Sequence, residues 1–136
     1  MSASVLIIED EEPIASTLKQ LLTMRYEADV EIAQNVKEAK SLLDSNQYNF
    51  IIVDNFLPDG AGFKMICEMA DKNRWIFDCN LIFLSGVHYV DKMPEFLEGV
   101  EKFSSLQVRN KPITAQTLFE LVADTLPKRP SQKEDS

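Results

Sequence analysis

Five polar residues stand at the ends of apolar runs that are widely separated in the chain, and their types form a chemical set. Glu9 and Asp10 follow the run 5–8, Asp54 follows 50–53, Ser85 follows 81–84, and Lys111 follows a short segment around Val108. Three carboxylates brought together repel one another, and a divalent cation relieves that repulsion. Oxygen-only donors select a hard ion such as Mg2+, held through one or two carboxylates with several waters kept. A carboxylate beside such an ion can act as a nucleophile toward phosphorus and give an acyl phosphate. The lysine supplies a fixed positive charge and the serine hydroxyl a hydrogen bond to an oxygen of the phosphoryl group, whose transfer depends on positioning and electrostatics. Gly86, with no side chain, lets a backbone N–H approach closely.

The elements around these residues decide whether they can meet. The runs 5–8, 50–53 and 81–84 are continuously apolar, as strands covered on both faces are. Residues 29–33 alternate polar and apolar, and Val108 marks a short last strand. Between them lie helical patterns. Pro13 suits a first turn, with Ile14, Leu18, Leu21 and Leu22 on one face. Asn35 followed by Glu38 marks a second start, with Val36, Ala39, Leu42 and Leu43 as its stripe. A third helix carries Phe63, Ile66, Met69 and Ala70 after the turn-rich Leu57-Pro-Asp-Gly-Ala-Gly62. A fourth, blurred by Pro94 and Gly99, falls in 89–103, and a last one in 114–126 turns Leu118, Leu121, Val122 and Leu126 inward. This is strand–helix repeated five times, an α/β chain with a parallel sheet and right-handed crossovers. Ligands of such sheets bind outside the carboxyl ends of the strands, where all five polar residues fall.

Composition narrows the functional classes. With 136 residues, 45% hydrophobic and 26% charged, the chain fits one globular domain, expected over 1–126, with a flexible tail or linker start over 127–136. A net charge of −8 and the lack of a Lys/Arg cluster argue against direct DNA binding. No leader pattern is visible and the apolar runs fall far short of the roughly 20 residues a membrane helix needs, so a cytoplasmic setting is expected. Cys67 and Cys79 form no CxxC pair and read as reduced thiols. No GxxxxGK[ST] or GxGxxG run occurs, which disfavours ATP as the direct donor. His88 reads as a surface residue, Met65 and Met69 as core, Trp75 and Phe77 as a cap on the core, and Asp59 as a turn residue rather than a further metal ligand.

Taken in order, Val5-Leu-Ile-Ile-Glu9-Asp10-Glu11, Ile51-Ile-Val-Asp54 with Leu57-Pro-Asp-Gly, Leu81-Ile-Phe-Leu-Ser85-Gly86 and Asn110-Lys111-Pro112-Ile113 resemble the receiver domain of response regulators in two-component signalling. The resemblance runs from residue 4 to about residue 126. It implies a flavodoxin-like, doubly wound (βα)5 fold with a five-stranded parallel sheet in the order 2-1-3-4-5. Asp54 matches the phosphoacceptor. Glu9 and Asp10 match the acidic pair for Mg2+, Phe56 the residue whose backbone carbonyl completes the metal site, Ser85 the switch hydroxyl, and Lys111 the lysine whose following proline is cis. The implied partners are a sensor histidine kinase or a histidine phosphotransfer protein and a downstream protein target, the protein itself being a switch rather than an enzyme, and a monomer or weak dimer.

Three features depart from the family pattern. Val108 stands where the family usually has a Tyr or Phe that changes rotamer, with Phe103 as the candidate to stand in for it. The Ser85–Lys111 interval is longer than usual, which places extra residues around 92–95 or 103–106. Phe56 and Val87 flank the path of a hydrolytic water and cannot orient it, so slow loss of the phosphoryl group is expected. Two other readings remain open on these residues: a receiver-like interaction domain whose switch is altered or lost, and a phospho-aspartate enzyme of the haloacid-dehalogenase type. The latter pattern wants an aspartate where Phe56 stands.

Overall fold

The apolar runs form the inner strands of one sheet, and the computed structural model, which describes residues 2–85 and 99–130, places helices on both of its faces. The order is β1 (Ala3–Ile8), α1 (Glu12–Arg25), β2 (Ala28–Ala33), α2 (Val36–Ser45), β3 (Phe50–Asp54), α3 (Gly62–Lys72), β4 (Asn80–Ser85), β5 (Ser105–Asn110) and a closing helix, Ala115–Val122. Single 3₁₀ turns at Arg74–Asp78 and Val100–Lys102 lead toward β4 and β5. All pairings in the sheet are parallel and the strands lie in the order β2-β1-β3-β4-β5. The expected flavodoxin-like architecture and strand order are therefore observed.

Strand alternation sorts the core into two layers. Leu6, Ile8, Ile51, Val53, Leu81 and Phe83 face α2 and α3, while Val5, Ile7, Phe50, Ile52, Ile82 and Leu84 face α1 and the closing helix. Every residue of β3 is buried, whereas β2 alternates and β5 is at best half-buried, as central and edge strands should be. α1 opens with proline in its first turn and buries Ala15, Leu18 and Leu22 at helical spacing. α2 opens on Asn35, whose side chain accepts the Glu38 N–H at 2.8 Å, while the Glu38 carboxylate takes the Gln34 N–H at 2.9 Å.

Some local expectations fall on residues the structure does not describe. The helix pattern in 89–103 lies largely outside the described residues, as do Gly86, Val87, His88 and the segment 92–95. No extra loop occurs at 103–106, because Phe103 leads within two residues into β5. Phe103 is buried at the amino end of β5, with ring centroids 5.0 Å from Phe77 and 6.2 Å from Phe63. Pro127 and Arg129 are bonded to the end of α1 and to Glu27 beyond it. The Pro127 carbonyl accepts the Glu27 N–H at 2.7 Å, Arg129 donates its N–H to the Arg25 carbonyl at 3.1 Å, and the Arg129 Nε–H reaches the Thr23 carbonyl at 2.6 Å. The unpaired carbonyls at the end of α1 offer partners that tail composition does not reveal.

Candidate functional site

Four polar or charged residues are buried among those described, namely Glu9 (1% exposed), Asp54 (5%), Asn55 (2%) and Ser85, and all four gather at the carboxyl ends of β1, β3 and β4. Buried polar groups are costly unless partnered, so their concentration at one edge marks the part of the molecule not built for stability alone. Register explains the meeting. Ile8 lies beside Val53, so the next residues, Glu9 and Asp54, are neighbours across two strands. Asp54 pairs with Leu84, and Ser85 with Asn110, which delivers Lys111 to the same edge. The Lys111 N–H donates to the Ser85 carbonyl at 2.8 Å, and the Lys111–Pro112 peptide bond is cis.

The Lys111 ammonium sits between two carboxylates, 3.1 Å from Glu9 Oε1 and 3.2 Å from Asp54 Oδ2. Burial works against its charge, but Glu9 and Asp54 outweigh that and hold its pKa above the ordinary lysine value. Burial also raises the pKa of Glu9. The Glu11 N–H and Lys111 oppose this rise, and the charge of Asp54 adds to it. Asp54 Oδ1 accepts the Phe56 N–H at 3.1 Å, which turns the carboxylate back over its own loop.

Glu9, Asp10 and Asp54 each offer a carboxylate oxygen within 4.8 Å of the others, Asp10 from an exposed position. Glu9 Oε2 takes the Glu11 N–H at 3.1 Å. Glu9 Oε1 is buried, and the cation beside it is the Lys111 ammonium at 3.1 Å. Three carboxylate oxygens this close, two of them from buried residues, carry more negative charge than one ammonium offsets and fit a hard cation: Mg2+ is the ion such donors select.

The five residues expected at one edge are all there, and Phe56 is beside them with its ring 50% exposed. Asn55 had not been anticipated. Its N–H donates to the Leu84 carbonyl at 3.1 Å, its main-chain carbonyl accepts from Gly62 at 2.8 Å and its side-chain oxygen from Phe63 at 3.0 Å. It thus caps the start of α3, which has no side-chain cap of its own, and ties it to β4. Gly62 allows this closeness, since a Cβ there would lie 2.3 Å from the Asp54 carbonyl oxygen. The signal available in the sequence was an amide immediately after a buried strand, at a position that reads as loop. Asp59 is exposed and bonded to α2, outside the acidic group, in keeping with its expected turn role.

This fold and this edge are those of a receiver domain. The chain matches the response regulator receiver domain family over residues 5–123 and belongs to it. Among curated relatives it is similar to the response regulator protein PilR of Pseudomonas aeruginosa, 26% identical over the whole of this chain and 29% of PilR. It is also similar to the transcriptional regulatory protein CitB of Klebsiella pneumoniae, 30% identical over 71% of this chain and 40% of that relative. The chain thus spans less than half the length of these relatives. Solved structures share its fold. A CheY-like receiver from Methanospirillum hungatei JF-1 matches over both full chains with a TM-score of 0.77 at 19% identity. CheY4 of Vibrio cholerae gives 0.76 at 20% identity, over 91% of this chain and 98% of that one. The receiver of HemR from Leptospira biflexa gives 0.73 at 25% identity, over 90% and 92%. Receiver domains bind Mg2+ at an acidic pocket and act as switches in two-component signalling with histidine kinases or phosphotransfer proteins.

Proposed function

We propose that Asp54 accepts a phosphoryl group from a histidine kinase or histidine phosphotransfer protein, and that the change is passed on through β4, β5 and their flanking segments. The observation that carries this reading is the Lys111 ammonium lodged between Glu9 and Asp54 at 3.1 and 3.2 Å. A carboxylate oxygen of Asp54 forms the new bond to phosphorus as the bond from phosphorus to the donor's imidazole nitrogen breaks, the electron pair leaving with the imidazole. Lys111 stands ready to hold a phosphoryl oxygen, and the Ser85 hydroxyl to bond another once the group is in place. Glu9, Asp10, Asp54 and the Phe56 carbonyl would hold Mg2+, which when bound offsets the carboxylate repulsion and the charge of the phosphoryl oxygens. The bias this places on two arrangements of β4 and β5 is what a partner would read.

The test is intact mass after incubation with acetyl phosphate and Mg2+. A single phosphate adduct is expected on the wild type and none on Asp54→Asn. No adduct on the wild type, or the same adduct on both, would defeat the assignment. Val108 favours a second reading, an interaction domain with an altered switch, because a half-buried valine on β5 has no ring to swing. That reading gains if the adduct forms while the amide spectrum of β4 and β5 stays unchanged.

A further inference from the structure

The segment after Asp54 is a short hairpin in which Phe56 and Leu57 pair antiparallel with Ala61 and Gly60. Two-residue rungs do not hold themselves together in water, and of this hairpin only Leu57 is buried. Its base is held by Asn55 at the start of α3. Its tip is held elsewhere. The Asp59 carboxylate reaches the start of α2 and accepts the Val36 N–H at 2.7 Å and the Lys37 N–H at 3.2 Å. These are the first two amides of α2, which its own cap, Asn35, leaves to others while taking the third. The seam is close, since a Cβ on Gly60 would lie 3.2 Å from Val36 Cγ2.

We propose that Asp59 is a positioning residue for the Mg2+ site: by clasping α2 it fixes the hairpin that presents the Phe56 carbonyl, so that the Asp59 clasp sets the metal affinity. The inference rests on the metal reading of Glu9, Asp10, Asp54 and Phe56. Charge-assisted bonds from a carboxylate to helix N-terminal amides are among the stronger ones at a protein surface. The Val36 N–H first, and the Lys37 N–H with it, hold the Asp59 carboxyl below the usual carboxylate range, so the clasp stays charged around neutral pH. Asp59 acts at a distance: its oxygens are spent on α2 and it lies outside the acidic group that would meet the ion.

The experiment is a Mg2+ titration of the full chain followed by the amide resonances of Glu9, Asp54 and Asn55, on the wild type, Asp59→Ala, Asp59→Asn and Asn35→Ala. Asn35→Ala removes the other cap of α2 and leaves the hairpin clasped. Loss of supporting groups behind a metal site weakens binding by about tenfold or more, so the Mg2+ Kd of Asp59→Ala is expected to rise about tenfold. Asp59→Asn, which keeps one acceptor, should fall between it and the wild type, and Asn35→Ala should bind as the wild type does. Wild-type affinity in Asp59→Ala, or equal weakening in Asp59→Ala and Asn35→Ala, would overturn the positioning role and leave the metal site standing. A wild type with no saturable Mg2+ response would overturn both.

Discussion

At the scale of single residues, chemistry follows from what each side chain is forced to face. Asp54 and Glu9 share one ammonium because adjacent parallel strands end together, and Lys111 stays charged because two carboxylates outweigh its burial. Phe56 is the exposed neighbour. Its ring lies two residues from Asp54, the proposed acceptor, and has nothing with which to orient a water. The phosphorylated protein is therefore expected to lose its label slowly, and Phe56→Gln to lose it faster. Loss from the purified wild type within seconds would contradict this. The thiols show burial as the leading cause. Burial first, with Asp71 adding, pushes Cys67 up to about 11, and burial pushes Cys79 up to about 12. Because both acids are weakened by folding, the fold keeps their protons after the unfolded chain releases its own. The resulting stability is intact below the ordinary thiol range and is lost as pH rises through it toward the folded values. At about pH 8, iodoacetamide should label the native protein slowly, Cys79 more slowly than Cys67, and both rapidly in guanidinium. Native labelling of Cys79 at the guanidinium rate would contradict its burial.

At the scale of elements, the site depends on how tightly β3 hands over to α3. Gly62→Ala would put a Cβ 2.3 Å from the Asp54 carbonyl oxygen and 2.9 Å from Val53 Cγ2, neither of which is a flexible end. A cost of about 2 kcal/mol in denaturant unfolding is expected, as for other overpacked positions, together with slower phosphorylation because Asp54 itself must shift. The inner strands were legible because burial on both faces leaves a continuous apolar run, and that legibility carried most of the candidate site, since Glu9, Asp54 and Ser85 each follow such a run. β5 was harder. Ser105–Asn110 is an edge strand of mixed character, and only Val108 pointed to it. The Asp59 and Asn55 caps were not legible as caps, because their partners lie on helices with no local pattern to announce the pairing. The burial of Phe103 was not legible, because its sequence neighbourhood does not show that Phe63 and Phe77 pack against it.

At the scale of the molecule, the closing segments tie the far end of the sheet together. The Arg25 guanidinium lies over the Phe119 ring, 4.5 Å from its centroid, and Arg129 binds the last carbonyls of α1 through both its backbone and its side chain. A cation there also meets the negative end of the helix. Arg129→Ala should cost about 1 kcal/mol and lower the melting temperature by about 3–5 °C, with phosphorylation of Asp54 unchanged. An unchanged melting temperature would mean that the segment 127–130 rests on the domain without supporting it. The edge position of β5 has a different consequence. Among the described residues, β5 is hydrogen-bonded along one side only, to β4, and no residue in it is fully buried. Strands of that kind open locally long before the whole domain unfolds. Each opening would carry the peptide of Lys111 away from Ser85 and leave Glu9 and Asp54 facing each other without a cation. Amide exchange at Lys111 would then time how often the site loses its charge balance, against the much slower exchange of β3, so that the proposed acceptor Asp54 ends a buried central strand while Lys111 follows a partly exposed edge strand.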